Sequence, residues 1–181
     1  TRAKGRVAAA GLPFEAPDAA ARAERLGMVA AMVYLIFNEG YSSTGAGDAP
    51  FCNEAIRLGR LLLKLFPGEP ELMGLLALML LQHARSRTRL DEAGNVVLLE
   101  KQDRSLWNRE MIAEGLALMD KAMRHRRPGI YQLQAAIAAL HARAGSSEET
   151  DWVEIELLYR MLERLQPSPV VTLNRAVALA K

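Results

Sequence analysis

An all-α fold of helical hairpins stacked into a solenoid is predicted by three observations. Apolar residues recur at helical rather than strand spacing, prolines separate the apolar segments, and those segments align with one another. Pro13 and Pro17 set off a basic opening stretch, residues 1–17, from a helical body spanning 18–181, whose first helix is predicted over roughly 19–37. The run "LMGLLALMLL" from Leu72 to Leu81 is apolar on every side, as a buried core helix is, and is about half the length needed to cross a bilayer. Elsewhere one face is apolar: Ile112, Leu116, Met119 and Met123; Leu133, Ala136, Ile137 and Leu140; Ile155, Leu158, Leu162 and Leu165; Leu173, Ala176, Val177 and Ala180. Breaks fall at Pro67–Pro70, Pro128–Gly129 and Pro167–Pro169. Pro70 suits a first helical turn, and Asp151 with Glu154 forms a capping pair.

Aligned on proline, "RLLLKLFPGEPELMGLLALML", "ALMDKAMRHRRPGIYQLQAAIAAL" and "YRMLERLQPSPVVTLNRAVALA" each read as helix, turn, helix, with Ala77, Ala136 and Ala176 at the waist of the second helix. The step from Pro128 to Pro167 slightly exceeds the ~34 residues of a tetratricopeptide repeat. The longer step before it is accounted for by a polar insert from Ser86 to Trp107. Small residues at the waist let hairpins approach and stack around a concave surface. An irregular helical bundle is the alternative.

Half of the residues are apolar, and 23 basic against 21 acidic side chains leave a net charge of +2, too little for a global field toward nucleic acid or an anionic membrane. The lone Cys52 forms no internal disulfide, fits a reducing cytoplasm and reads as a small buried hydrophobe. "NEGYSSTGAGD" mimics a phosphate-binding loop, but Ala46 and Gly47 stand where that motif needs Lys and a hydroxyl, so it reads as a helix-to-helix connection. A nucleotide-binding enzyme is therefore the weaker alternative. His83, His125 and His141 lack metal-ligand spacing, no nucleophile elbow is present, and no catalytic residue, metal or cofactor is expected. Glu148, Glu149 and Asp151 fall before a helix N-terminus and the basic run Lys121–Arg127 at a helix C-terminus, where the macrodipole favours each sign. The polar residues embedded in apolar faces are Asn38, Glu39, Gln132, Gln134, Asn174 and Arg175; they either tie helices together or line a peptide groove. Trp107 and Trp152 read as core aromatics near helix starts.

Seven ordered blocks carry a resemblance: "VYLIFNEGYSS", "EAIRLGRLL", "LLALMLLQHAR", "LLEKQDRSLWN", "YQLQAAIAALHA", "DWVEIELLYRML" and "SPVVTLNRAVALA". Together, from about Leu26 to Lys181, they resemble the tetratricopeptide-like C-terminal domain of bacterial extracytoplasmic-function (ECF) RNA polymerase sigma factors. From these blocks Tyr41, Asp103, Arg104 and Tyr131 join the embedded polar residues and Trp107 as candidate interaction residues. The opening segment resembles the end of sigma region 4 and a linker, which implies that Arg2, Lys4 and Arg6 contact promoter phosphates in a parent protein. Starting at Thr1 and stopping in a helical pattern, the chain reads as a piece of that longer protein. The resemblance implies a non-catalytic, cytoplasmic regulatory domain whose partners are core RNA polymerase, sigma regions 2 and 4 of the parent chain, and a protein or peptide in the repeat groove. Promoter DNA would be reached only through the parent, and no membrane is involved. A free-standing helical-repeat adaptor is the remaining alternative.

Overall fold

Each helix begins where the chain supplies an oxygen or a proline for its first turn. In a computed structural model that describes residues 18–42 and 50–181, the Asp18 carboxylate accepts the Ala21 N–H at 2.8 Å and opens α1 (Ala19–Ser42). Prolines open α2 (Pro50–Leu65) and α3 (Pro70–His83). Asn108 caps α4 (Arg109–Met123) through the Met111 N–H at 3.0 Å. Asp151 caps α6 (Trp152–Leu165) through the Glu154 N–H at 2.9 Å, the pair expected from the sequence. Ser168 and Pro169 open α7 (Pro169–Leu179). The exception is α5 (Ile130–Arg143), whose N-cap is Gly129. Its first amides are met instead by the Glu71 carboxylate of α3, which accepts from Tyr131 at 3.1 Å and Gln132 at 3.3 Å.

The fold is all-α: among the described residues there are seven α-helices and no strand, with a single isolated bridge between Leu90 and Val96. Consecutive helices pack on one another, and α3 also packs on α1 and α5. Leu133 and Ile137 of α5 share apolar clusters with Ile155 and Leu162 of α6 and Val171 and Ala178 of α7. The helices therefore alternate between an inner layer, α1, α3, α5 and α7, and an outer layer, α2, α4 and α6. That alternation is the stacked-hairpin order rather than an irregular bundle. Each proline turn noted in the sequence joins an outer helix to the next inner one. At the centre α3 is buried from Leu72 to Leu81 on all faces, as expected. No helix among the described residues is long and apolar enough to cross a membrane.

Three sequence expectations are corrected. First, α1 continues through Asn38, Glu39 and Tyr41 to Ser42, so these residues lie inside a helix and not in a loop after it. An ideal Cβ on Gly40 would stand 2.9 Å from the Cys52 nitrogen, so this glycine serves the approach of α1 to α2 rather than ending the helix. Residues 43–49, with the rest of the supposed phosphate loop, lie outside the described residues, as do 1–17 with Arg2, Lys4 and Arg6. Second, the stripe expected to be buried on α7 is exposed, Leu173 at 64%, and Val171 and Ala178 face the core instead. Third, of the waist alanines only Ala77 is fully buried; Ala176 is exposed, and α3 approaches α5 tightly at Gly74 instead. The polar insert has an interior built on Trp107, the core aromatic expected there, which donates to the buried Thr88 hydroxyl at 3.0 Å, while buried Gln102 donates to the Val97 carbonyl at 2.9 Å.

The Gly74 contact gives a test of the layer spacing. A methyl at this position would lie 2.6 Å from the Gln132 backbone nitrogen, so α3 and α5 must part to admit it. Helix propensity alone favours Gly74→Ala by about 1 kcal/mol, whereas overpacking costs about 1–3 kcal/mol. We expect a lower urea midpoint for this variant; a higher one would show that the two helices are not so close.

Candidate functional site

The inner helices present one residue stripe each to a common concavity. On α1 Tyr34 faces it, with Asn38 and Tyr41 following on the same helix face without lining it; on α3 the stripe is Leu78, Gln82 and the following Arg85; on α5 it is Gln134, Ala138 and His141. These spacings of three and four residues keep each set on one helix face. α7 adds Val170 and Asn174, and the insert closes one end with Leu99 and Trp107. The groove so formed encloses about 450 Å³ and touches all four inner helices.

Its polar groups are held by one another. The Tyr34 hydroxyl donates to the Gln134 amide oxygen at 3.4 Å, and burial pushes this phenol's pKa up. Tyr34 also meets Tyr131 edge to face, with ring centroids 5.4 Å apart. Arg85 donates to the Tyr41 hydroxyl at 2.9 Å. Arg89 reaches the Tyr41 carbonyl and stacks its guanidinium 3.7 Å above the same ring. From the insert, Arg104 donates to the carbonyls of His141 and Ala144 at the end of α5, the latter at 2.8 Å. Its charge also stands beside the Trp107 ring, at 5.0 Å. His141 packs edge to face on Trp152 with centroids 5.3 Å apart, and its Nδ1 is buried without a hydrogen-bond partner. Burial first, then the charges of Arg85 and Arg104, push its imidazole down to about 4, so it is neutral at pH 7.

Among the residues singled out from the sequence, Gln134, Asn174 and Trp107 line the groove, while Tyr41 braces Arg85 and Asn38 lies beside the Tyr34 hydroxyl. Tyr131 lies just outside, on a neighbouring cleft shared by Tyr34, Glu71 and Gln134. The others fasten the scaffold. Gln132 donates to the Arg127 carbonyl at 2.8 Å, and Asp103 accepts the Ser105 N–H at 2.9 Å. Arg175 joins the outer layer to α7 through Glu156 at 3.0 Å and Glu163 at 2.5 Å. Burial works against the charge of Glu156, but the hydrogen bonds from Arg175 and Arg160 outweigh it and hold its carboxyl below the usual range. Glu39 is exposed at the end of α1. Sequence reasoning missed Tyr34, Gln82, Arg85 and His141. Their signal is a polar residue every third or fourth position within Ala- and Leu-rich helices, legible once those helices are known to form one layer.

A relative in Rhizobium meliloti (strain 1021), itself an uncharacterized protein, is 70% identical over 184 aligned residues, which include all of this chain and 44% of that protein. The chain thus spans less than half the length of that relative. No solved structure matches it. A family model matches residues 25–123, from the middle of α1 to the end of α4, and by this match over more than half its length the chain belongs to the family of unknown function DUF6596.

Proposed function

We propose that this chain is a protein-interaction domain that adjusts the activity of an ECF-type sigma factor in transcription initiation and performs no catalysis itself. The observation that supports the reading most is the concave groove, to which every inner helix contributes. Stacked helical hairpins use such a surface to hold a segment of another protein or of the same chain. The seven blocks that resemble sigma-factor C-terminal domains run through this same framework, with Tyr34, Arg85, Gln134, His141 and Asn174 inside them. A protein as long as the Rhizobium meliloti relative has room beside this domain for the promoter-melting region 2 and the helix-turn-helix of region 4. The partners on this reading are core RNA polymerase and those two sigma regions, with promoter DNA contacted only through the parent and the complex acting in the cytoplasm.

Run-off transcription by core polymerase tests the proposal. The full-length parent is compared with a version ending at Pro17 and with the isolated domain added back. Truncation is expected to change the yield at least several-fold, a fall marking a required positive element and a rise reversed by add-back marking a built-in inhibitor. Equal transcription in all three reactions would overturn the reading.

A further inference from the structure

The ion-paired arginines among the described residues, Arg143 and Arg175 of the inner helices included, lie outside the groove lining. On the outer helices, Arg57 sits 2.7 Å from Glu54, Arg60 2.6 Å from Glu114 and Arg160 2.9 Å from Glu156. In the groove lining the Arg85 guanidinium donates to the Tyr41 phenol, and outside that lining Arg89 and Arg104 donate to backbone carbonyls; no carboxylate lies within ion-pair distance of the three among the described residues, and Glu148 and Glu149 act on Arg104 only through their more distant charge. Arg85 is half-buried in the groove wall. A guanidinium in such a place retains donors that match a carboxylate far better than a hydroxyl. Nearby, amide side chains of Gln82, Gln134 and Asn174 alternate with apolar Leu78, Ile137 and Val170 along the same groove. That mixture suits a peptide, whose backbone takes the amides and whose side chains take the apolar positions. It does not suit nucleic acid, which would call for cations spread along a backbone track and open aromatic platforms.

We infer that the groove takes an acidic peptide segment, seating one Asp or Glu carboxylate on Arg85 and meeting the peptide backbone with Gln82, Gln134 and Asn174. The inference rests on the reading of this domain as an interaction module and adds the chemistry of the partner.

The test is selection of a displayed library of random twelve-residue peptides on the 181-residue chain, followed by synthesis of the enriched peptides and of versions with each acid changed to its amide. A pool of random single-stranded DNA is run in parallel. Enriched peptides are expected to share an Asp or Glu whose amide version binds at least tenfold more weakly, as loss of a charged hydrogen bond implies. Arg85→Gln is expected to abolish that difference between acid and amide, whereas Arg57→Gln on the outer face leaves it intact. Asn174→Asp, at an exposed position, keeps the test open if Arg85→Gln fails to fold, and is expected to weaken the acidic peptide about tenfold by repulsion. Enrichment of peptides without acids, indifference to both variants, or tighter binding of the DNA pool would overturn the inference. The two proposals fail separately: without acid-dependent binding, a transcription change on truncation still supports the regulatory reading, and acid-dependent binding without such a change supports only the groove chemistry.

Discussion

Replacing Phe37 by Ala should lower the stability of the domain by about 3–5 kcal/mol, the range for removing a fully buried phenyl ring. Phe37 is 0% exposed and lies in the cluster that joins α1, α2 and α3. Its ring stacks on Tyr41 at 5.5 Å and on Tyr34 at 6.4 Å, so the same substitution loosens Tyr34 of the groove lining and Tyr41, which braces Arg85. On the same helix Leu35 is 67% exposed, and Leu35→Ala should change stability by less than about 0.5 kcal/mol. Thermal unfolding followed by circular dichroism separates the two. A drop of about 10 °C is expected for Phe37→Ala, given about 2–4 °C per kcal/mol for a chain of this size. Equal melting temperatures for the two variants would mean that α1 does not dock as described. Because repeat arrays depend on neighbour contacts, the loss should appear first as faster amide exchange in α1 and α2.

The second large effect concerns acid. His141 titrates near 4 in the folded chain and near 6.5 when unfolded, because burial and the charges of Arg85 and Arg104 oppose its protonation. Between those values the unfolded chain binds the extra proton, so stability is complete above pH 6.5 and falls as the pH drops toward 4. The full loss is about 3 kcal/mol for a shift of this size. His141→Phe keeps a ring against Trp152 and removes the titrating group. Urea denaturation at pH 7 and pH 4.5 should show a smaller loss for this variant than for the unaltered chain. The low-titrating carboxylates Glu156 and Glu163 act alike in both proteins and cancel in the comparison. Parallel losses would contradict the buried, positively surrounded position assigned to His141.

The framework was legible because the sequence states it in local terms. Prolines 70 and 169 begin helices, Asp151 caps one, and the all-round apolar run from Leu72 to Leu81 can only be central. Where the sequence misled, a local signal had a distant cause. Gly40 after Asn38 and Glu39 resembles a helix stop, yet its missing side chain answers the crowding by Phe51 and Cys52 of α2. On α7, Val170, Val171, Leu173, Val177 and Ala178 make two faces almost equally apolar, so periodicity alone does not choose the buried one. The groove itself is a property of layering. Tyr34 and Gln134 are a hundred residues apart and touch only because α1, α3 and α5 stand side by side. Gln134 and Asn174 were recognisable as polar residues on apolar helices, but Arg85 carried no local signal and His141 was weighed only as a metal ligand, because their place in the groove comes from the neighbouring helices.

Run-off transcription by the full-length parent carrying Arg85→Gln, set beside the parent truncated at Pro17 and the unaltered parent, tests most directly whether the domain works through its groove. The account predicts that Arg85→Gln moves the transcript yield in the same direction as truncation while the protein still melts cooperatively. Unaltered yield from the folded Arg85→Gln parent, with a clear change on truncation, would place the working surface elsewhere on the domain and contradict the account.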